Sequence, residues 1–372
     1  MATDELDAAA GGELDAKLGL IRAELAAHDL GAIRLRGSDW FAWLTCGGCS
    51  VVDSSAEVGV AELLVDADEA IVLANRIDAQ RLRVEEVPPQ LPVIELPWTD
   101  PDRLEAAVLA RVRPGSHIAS DRPRANELPL PSSLATARPR MMAPEIERFR
   151  GVGRDAAVAV GAALRAARPQ RTEGQLAADT AAALIDRGLW PVVLLVGGER
   201  RLRSYRHPTP RSDELIGDRA MVVVCARRHG LIANLTRFVS FRAATAGELA
   251  AERVVAQIEA AAFDASTPGS KLGDVYRVIA DAYVRAGSAG ADADHHQGGL
   301  AGYRSREEIA TPASTTLICE GSALAWNPSL PGSKVEDTAV VGRDGLEILT
   351  VDPDWPTKLV NGRLRPDVLV LA

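Results

Sequence analysis

The chain has 372 residues, of which 47% are hydrophobic and 25% are charged, and its net charge is −9. These proportions are typical of a globular protein, and the length suits two domains better than one. They exclude a disordered or a fibrous chain. The negative charge also argues against nucleic acid as a partner, because phosphate binding requires clustered lysine and arginine.

The cellular compartment is inferred from the lack of a recognisable targeting signal and from the cysteines. No apolar run reaches the roughly 18 to 20 residues of a membrane span, and the first twenty residues are acidic, unlike a secretion signal. We therefore expect a cytoplasmic protein with no membrane partner. Four cysteines are too few for a disulfide framework. Cys46 and Cys49 have redox spacing, but the two glycines between them favour a turn, and Cys225 and Cys319 lie in apolar runs typical of a core.

Helical and strand-like patterns alternate in the first part of the chain. We expect helices at residues 14–28, 77–86 and 101–112, and strands at 31–35, 61–65, 70–73 and 117–120. This order predicts an α/β domain. Residues 122–142 contain four prolines and little periodicity, which is typical of a connection between domains. We therefore place the N-terminal domain at residues 1–142.

Longer helices follow this connection. We expect helices at 144–167, 172–188, 245–265 and 271–287, and strands at 190–196, 219–226, 231–241, 315–319, 323–327 and 338–341. The helix–helix–strand order occurs twice, which suggests an internal pseudo-twofold arrangement. The sequence thus predicts an α+β domain over residues 143–372.

Six segments of this second domain resemble, in order, the motifs of the family that includes creatinase, aminopeptidase P and prolidase. They are residues 143–148, 204–209 with 215–218, 229–237, 295–302, 326–328 and 334–338. Residues 334–338, Lys-Val-Glu-Asp-Thr, resemble the family's Arg-Ile-Glu-Asp-Thr, and residues 295–302 are similar to its His-x-x-Gly-His-Gly-Ile-Gly. The resemblance implies an N-terminal domain followed by a pita-bread catalytic-type domain, and a homodimer.

The resemblance also bears on metal binding. Metallopeptidases of this family hold two divalent ions with two aspartates, one histidine and two glutamates. The five positions carry, in chain order, Val223, Asn234, Gly299, Asn327 and Glu336. Valine and glycine have no side-chain donor, and one carboxylate cannot offset two divalent ions. The resemblance therefore implies no dinuclear metal centre and no cofactor, although a single metal at His295 and His296 stays open.

Creatinase has the same fold, lacks the ions and hydrolyses a C–N bond with a histidine as proton shuttle. His207 occupies the equivalent loop position here. An imidazole with a pKa of about 6.5 can take up and return a proton at neutral pH. The resemblance implies a metal-independent hydrolase or lyase acting on a small amide, amidine or amino-acid-like substrate, with His207 and Glu336 as catalytic residues. A histidine beside proline is also common as a plain loop residue.

The remaining candidates are polar residues near these positions. We expect the substrate to be bound by Asn234, Arg237, His295, His296, Tyr303 and Asn327. The asparagines can donate and accept hydrogen bonds, and Glu336 can bind a cationic or amide N–H group, which predicts a neutral-to-anionic pocket. Thr236 stands where creatinase has a glutamate, so creatine itself is a poor candidate. The arginines at 200, 201, 203 and 206 either favour an anionic substrate or form a solvated face.

Two other functions stay open. The chain could be an ordinary Xaa-Pro aminopeptidase or dipeptidase with metal ligands at other positions, in which case its substrate is a short peptide. Alternatively, it could be a catalytically inactive binding or scaffold protein. Metal analysis with a proline-dipeptide assay separates the metallopeptidase from metal-independent chemistry. If His207→Ala left the biological activity intact, the chain would be the binding or scaffold protein.

Overall fold

The computed structural model describes residues 2–371 and their side chains from residue 12 onward. The chain forms two compact units, Met1–Arg138 and Pro139–Ala372. Among the helices described, none combines the length and the apolar character needed to cross a membrane.

The first unit contains one six-stranded mixed sheet. Its helices are α1 (Ala2–Ala27), α2 (Ser38–Leu44), α3 (Ala79–Arg81, continued by a π-helical turn at Leu82–Glu86), α4 (Pro101–Leu109) and α5 (Ser132–Ala137). Its strands are β1 (Leu30–Gly37), β2 (Val58–Val65), β3 (Ala70–Asn75), β4 (Val93–Leu96), β5 (His117–Ser120) and β6 (Glu127–Pro129), in the order β4-β3-β2-β1-β5-β6. Its core includes Ala32, Leu64 and Val108.

The expected connection at residues 122–142 is wrong for most of its length. Strand β6 and helix α5 lie within it, and both belong to the first unit. β6 pairs in parallel with β5 at the edge of the sheet, where a proline such as Pro129 is tolerated. Glu127 is held there by Arg36, with Nη1 2.6 Å from Oε2. Ion pairing of this kind leaves no apolar periodicity in the sequence.

The second unit begins with a long helix. Its helices are α6 (Ala143–Ala166), α7 (Glu173–Ile185), α8 (Glu199–Leu202), α9 (Ala246–Ala265) and α10 (Leu272–Arg285). α6 starts as expected, with proline in its first turn and the Glu145 carboxylate accepting the backbone N–H of Met142 at 2.9 Å. Thr172 and Thr245 cap α7 and α9, and the hydroxyl oxygen of each accepts the backbone N–H of the residue three positions ahead.

Two main sheets make up the rest of this unit. Its strands are β7 (Trp190–Gly198), β8 (Arg219–Arg228), β9 (Leu231–Ser240), β10 (Gly298–Ala301), β11 (Glu308–Ile309), β12 (Ala323–Trp326), β13 (Ser329–Leu330), β14 (Ser333–Lys334), β15 (Asp337–Gly342), β16 (Gly345–Ile348), β17 (Thr357–Val360), β18 (Arg363–Pro366) and β19 (Leu369–Val370). The sheet orders are β19-β9-β8-β7 and β11-β10-β12-β15-β16, and two small hairpins pair β13 with β14 and β17 with β18. The strand expected at 315–319 is wrong, because that segment forms only an isolated bridge at Leu317.

A hydrophobic core lies between the five-stranded sheet and helices α9 and α10. Leu300, Leu324 and Trp326 project from the sheet to meet Ile258 and Phe263 of α9, and further residues of α10. Because successive side chains of a strand point to opposite faces, the neighbours of these core residues point away from the helices. That second face carries the candidate site.

The cysteines largely follow expectation. None of the four cysteines, all of which lie in the described part of the chain, forms a disulfide, and Cys46 and Cys49 lie in a turn after α2, where Cys46 has a φ of +58°. Cys225 is buried in β8, and burial raises its pKa to about 11, so it is a neutral core thiol. Cys319 is only half-buried, and its assignment to the core is therefore wrong.

Candidate functional site

Strand pairing brings the candidate side chains into one row. Val223 of β8 pairs with Thr236 of β9, and Thr236 forms a bridge with Glu336. Trp326 pairs with Asp337, and Asn327 follows Trp326 while Glu336 precedes Asp337, so both lie one residue beyond that pair at the same end of the two antiparallel strands. Directly paired residues point to the same face of a sheet, as do residues two apart in one strand. Asn234 therefore joins this row beside Thr236.

Glu336 is the most strongly bound member of the row. It is 2% exposed, and its Oε1 lies 2.7 Å from Nη2 of Arg306. Its Oε2 lies 3.1 Å from Nζ of Lys334 and accepts the hydroxyl of Thr236 at 3.1 Å. Burial acts to raise the pKa of Glu336, but Lys334 and Arg306 lower it to about 2. Glu336 is therefore ionised at neutral pH, and it faces two cations.

The expectation of a neutral-to-anionic pocket is consequently wrong. Lys334 precedes Glu336 by two residues, so strand alternation places both side chains on one face. This spacing is visible in the sequence and could have predicted a positive charge beside Glu336. Arg306 lies in the turn between β10 and β11, with 8% of its side chain exposed. Loop residues have no periodic pattern that reveals their direction, and sequence reasoning missed Arg306 for that reason.

Three histidines lie together near this row. The ring centroids of His207 and His295 are 6.5 Å apart, those of His207 and His296 are 6.4 Å apart, and those of His295 and His296 are 6.2 Å apart. His207 is exposed in the loop after α8, and its ring makes no hydrogen bond to the residues described. The structure thus brings together the three histidines that the sequence selected.

The histidines differ in how their nitrogens are used. His295 donates its Nδ1–H to the backbone oxygen of His296 at 2.6 Å and accepts the hydroxyl of Ser329 at Nε2 at 2.7 Å. Both of its nitrogens are engaged, so His295 has none left for a metal ion. Nδ1 of His296, by contrast, is buried and has no hydrogen-bond partner among the described residues.

Burial, assisted by nearby cations, favours the neutral form of all three rings. Burial lowers the pKa of His295 to about 4, and burial with the charge of Arg306 does the same for His296. Desolvation and then the charge of Lys334 lower the pKa of His207, while Glu336 acts in the opposite direction. A neutral imidazole can accept a proton, and it is the form required of a general base.

Two buried asparagines carry oxygens without partners. Asn234 and Asn327 are 0% and 2% exposed, and neither Oδ1 has a hydrogen-bond partner in the described part of the chain. Asn234 donates its Nδ2–H to the backbone oxygen of Ile232 at 3.1 Å, which identifies Oδ1 as the free atom. Buried polar atoms are nearly always paired in folded proteins. These acceptors, with Nδ1 of His296, match a ligand that carries N–H or O–H donors.

Arg237 lies outside this cluster. It follows Thr236 directly in β9, so its side chain points to the opposite face. There its Nη2 donates to Oδ1 of Asp337 at 2.8 Å, and Arg365 links the other oxygen of Asp337, at 2.7 Å, to Glu259. The expectation that Arg237 binds substrate is wrong, because its guanidinium belongs to a buried ion-pair network that stabilises the fold.

Tyr303 is also engaged elsewhere. It is 2% exposed, and its hydroxyl donates to Oε1 of Glu145 at the start of α6, at 2.7 Å. We therefore assign it a structural role in place of the expected contact with substrate.

The arginines near His207 mostly pair with carboxylates, such as Arg200 with Glu214 and Arg206 with Asp294. Arg200 is solvated, but Arg201 is buried against Glu173, so the expected solvated face is only part of this set.

The residues do not fit a dinuclear metal centre. Val223 packs in an apolar cluster with Leu202, Met221 and Phe238. Gly299 has a φ of +153°, and a Cβ at this position would lie 2.1 Å from the backbone oxygen of Glu308, so this backbone has no room for a histidine. Over residues 12–371, no group of three or more histidine, cysteine, aspartate or glutamate side chains is placed to hold a metal ion.

The two units and the row of site residues define a protein of the prolidase and creatinase fold class. The chain belongs to metallopeptidase family M24, whose model matches residues 147–343. The expected fold, an α/β N-terminal domain with an α+β pita-bread domain, is confirmed by solved structures that match nearly the whole chain. No curated protein matches the chain by sequence.

Three solved structures illustrate the likeness. Dipeptidase PepE from Mycobacterium ulcerans is 20% identical with a TM-score of 0.74, and the match covers 96% of this chain and 98% of that one. The prolidase from Pyrococcus horikoshii OT3 is 15% identical with a TM-score of 0.75, covering 90% and 98%. The N-terminal domain of FACT complex subunit SPT16 from chickpea is 15% identical with a TM-score of 0.65, covering 91% and 94%. Identities this low show a shared fold.

Proposed function

We propose that this protein is a metal-independent hydrolase or lyase that acts on a small amide, amidine or amino-acid-like molecule. The observation that carries the proposal is a set of buried polar atoms that have no hydrogen-bond partner among the described residues, beside the exposed neutral ring of His207. They are Oδ1 of Asn234, Oδ1 of Asn327 and Nδ1 of His296. We further propose that it acts as a cytoplasmic homodimer and that its partner is this small molecule.

In the hydrolytic form of the reaction, His207 serves as the proton shuttle. Its neutral ring takes a proton from water as the water oxygen attacks the carbonyl or amidine carbon of the substrate. The C–N bond then breaks, and the same proton passes to the departing nitrogen. Asn234 and Asn327 accept substrate N–H groups and so hold the reacting carbon near His207. Glu336, which the resemblance implied as a second catalytic residue, is assigned another role in this proposal: its carboxylate pairs with Arg306 and Lys334 and fixes their positions.

A catalytically inactive binding protein is the second candidate. It is favoured by the match to the FACT complex subunit, which shows that this fold also occurs in a protein described as part of a complex. The prolidase and dipeptidase matches suggest the third possibility, a metallopeptidase, but the side chains at Val223 and Gly299 do not supply ligands for it.

An assay of purified, EDTA-dialysed protein separates these functions. The substrates would be small amides, amidines, N-acyl amino acids and Xaa-Pro dipeptides, with release of amine or ammonia as the readout. We expect turnover of a member of the first three classes that is the same with EDTA and with added Mn²⁺. Xaa-Pro cleavage that EDTA abolishes and Mn²⁺ restores would establish the metallopeptidase. Ligand binding without product from any compound would establish the binding protein.

A further inference from the structure

A cavity of about 280 Å³ lies beside helices α8 and α9, and none of its described lining residues belongs to the candidate site. Its walls come from α8, from the first turns of α9, from Arg219 at the start of β8, and from Pro331 and Gly332 at the tip of the β13–β14 hairpin. We infer that this α8–α9 cavity binds a phosphate group, either as the free ion or on a small phosphomonoester. The inference is independent of the proposed function.

Arg219 is the residue that carries the inference. Its side chain is 2% exposed, yet its buried Nε and Nη1 have no hydrogen-bond partner among the described residues. Its Nη2 donates to Oε1 of Glu252 at 2.6 Å, and its Cζ lies 5.1 Å from the centre of the Phe238 ring, so the guanidinium is held in place. Buried donors are nearly always paired in folded proteins. The two open N–H groups therefore match a ligand that supplies acceptors.

Two further donors line the same cavity. Gly247 is the second residue of α9, and helix geometry leaves its backbone N–H without an intrahelical partner. The N-terminus of a helix carries a partial positive charge and favours phosphate. Arg203 is exposed at the end of α8, and its guanidinium makes no ion pair or hydrogen bond with the residues described. Donors thus approach the cavity from α8, α9 and β8.

The carboxylates that line the cavity are already engaged. Glu248 accepts Nη1 and Nη2 of Arg242 at 2.9 and 2.8 Å, and its closest oxygen lies 4.0 Å from Nη1 of Arg219, too far for a hydrogen bond. Glu199 accepts Nη2 of Arg242 at 2.8 Å, and Glu252 accepts Nη2 of Arg219. The groups left open in the cavity are therefore donors, which excludes a metal ion or an amine as its ligand.

Phosphate fits these donors better than a carboxylate does. Its oxygens are arranged tetrahedrally and accept hydrogen bonds from several directions at once, whereas a carboxylate has two oxygens in one plane. The three carboxylates are matched in charge by Arg203, Arg219 and Arg242, so the partial charge of the α9 N-terminus tips the balance toward an anion. Leu202, Ala251 and Pro331 form an apolar part of the wall, on which the carbon atoms of a phosphomonoester can pack.

Isothermal titration calorimetry on the full chain tests the inference with three probes. They are inorganic phosphate, glycerol 3-phosphate and, as the uncharged control, glycerol. We expect saturable binding of both phosphates and none of glycerol. Tighter binding of glycerol 3-phosphate would identify a phosphomonoester as the ligand, and tighter or equal binding of inorganic phosphate would identify the free ion. No saturable binding of either phosphate, or equal binding of acetate, would overturn the inference.

Variants of the two arginines locate the bound phosphate. Arg219→Lys keeps the charge but loses the planar fork of donors, and it should weaken phosphate binding by about tenfold or more. Arg203→Gln should weaken it by at least about threefold, because an exposed ion pair contributes less. Arg343→Gln removes the same charge from a side chain that is 83% exposed, and it should leave the affinity unchanged. Equal effects of Arg203→Gln and Arg343→Gln would contradict a specific site.

Two more measurements separate binding from folding and from the candidate site. Thermal unfolding would show whether Arg219→Lys folds, and if it does not, Arg203→Gln and the three probes decide, because Arg203 is exposed and unpaired among the described residues. His207→Ala should leave phosphate binding unchanged. Loss of phosphate binding in His207→Ala would place the anion in the candidate site and overturn the inference, whatever the amide assay shows.

Discussion

Replacement of His207 by alanine is expected to lower kcat/KM for the amide or amidine substrate by about 10² to 10⁴, the usual contribution of a general acid–base group. The reason is that the substitution removes the exposed neutral imidazole, while Asn234 and Asn327 stay in place to bind the substrate. Steady-state kinetics would measure the loss. Binding of the substrate should change little, so the loss should fall mainly on kcat.

A matched control is available in the first unit. His117 is exposed at the start of β5, and His117→Ala should leave the kinetics unchanged. If His207→Ala retained full activity, the proton shuttle assigned here would be wrong. If neither protein showed activity on any compound of the panel, the binding-protein interpretation would replace the enzymatic one.

The pH dependence of kcat/KM also tests the role of His207, and the lowered pKa of His207 fixes the direction of the expected shift. Desolvation and Lys334 lower the pKa of His207, so the ring stays neutral, and active as a base, below the ordinary histidine value of 6.5. We expect the acidic limb of the kcat/KM profile to lie below pH 6.5. Lys334→Gln removes a charge that opposes protonation, so the limb should move to higher pH. A limb that moved to lower pH would contradict the electrostatic role of Lys334.

Replacement of Asp337 by alanine is expected to lower the free energy of unfolding by about 3 to 5 kcal/mol, as found when one partner of a buried ion pair is removed. Asp337 is fully buried between Arg237 and Arg365, and its loss leaves both guanidinium groups short of a counter-charge. Urea denaturation followed by fluorescence would measure the change.

The exposed pair of Arg150 and Glu347 provides the comparison for Asp337. Their side chains are 44% and 46% exposed, and Nε lies 2.8 Å from Oε1, close to the distances of the buried network. Glu347→Ala should therefore cost no more than about 1 kcal/mol, because water screens the exposed pair. A similar cost for both variants would show that the network around Asp337 does not stabilise the fold through its burial.

The four long helices of the second unit and its longest strands, β7, β8, β9 and β15, could be predicted because long apolar patterns fix them. The core helices α9 and α10 have the periodicity of faces that pack on a sheet, and Thr172 and Thr245 have capping spacing. The order of the site segments along the chain came from the family resemblance, because hydrophobic periodicity gives no information about it. The segment 122–142 failed because its strand is held by ion pairs and one of its prolines, Pro129, lies at a sheet edge.

The site was only partly predictable. His207, His295 and His296 form a cluster, and Asn234 and Asn327 lie in one row with Glu336, as the motif positions suggested. Arg237 was misassigned because only its position in the motif was considered. Side chains alternate along strand β9, so Arg237 points to the face opposite that of Thr236. Arg306 was missed because its contact with Glu336 joins residues 30 positions apart through a loop. Such pairings depend on the tertiary fold.

Diffraction from crystals soaked in Mn²⁺, with data collected at the manganese absorption edge, is the most direct test of whether this site works without metal ions. We predict no anomalous peak beside Glu336, and electron density for the guanidinium of Arg306 and the ammonium of Lys334 against its two oxygens. Two anomalous peaks between Glu336, Asn327 and Asn234, with Arg306 displaced, would contradict the assignment of these two cations as the resident partners of Glu336.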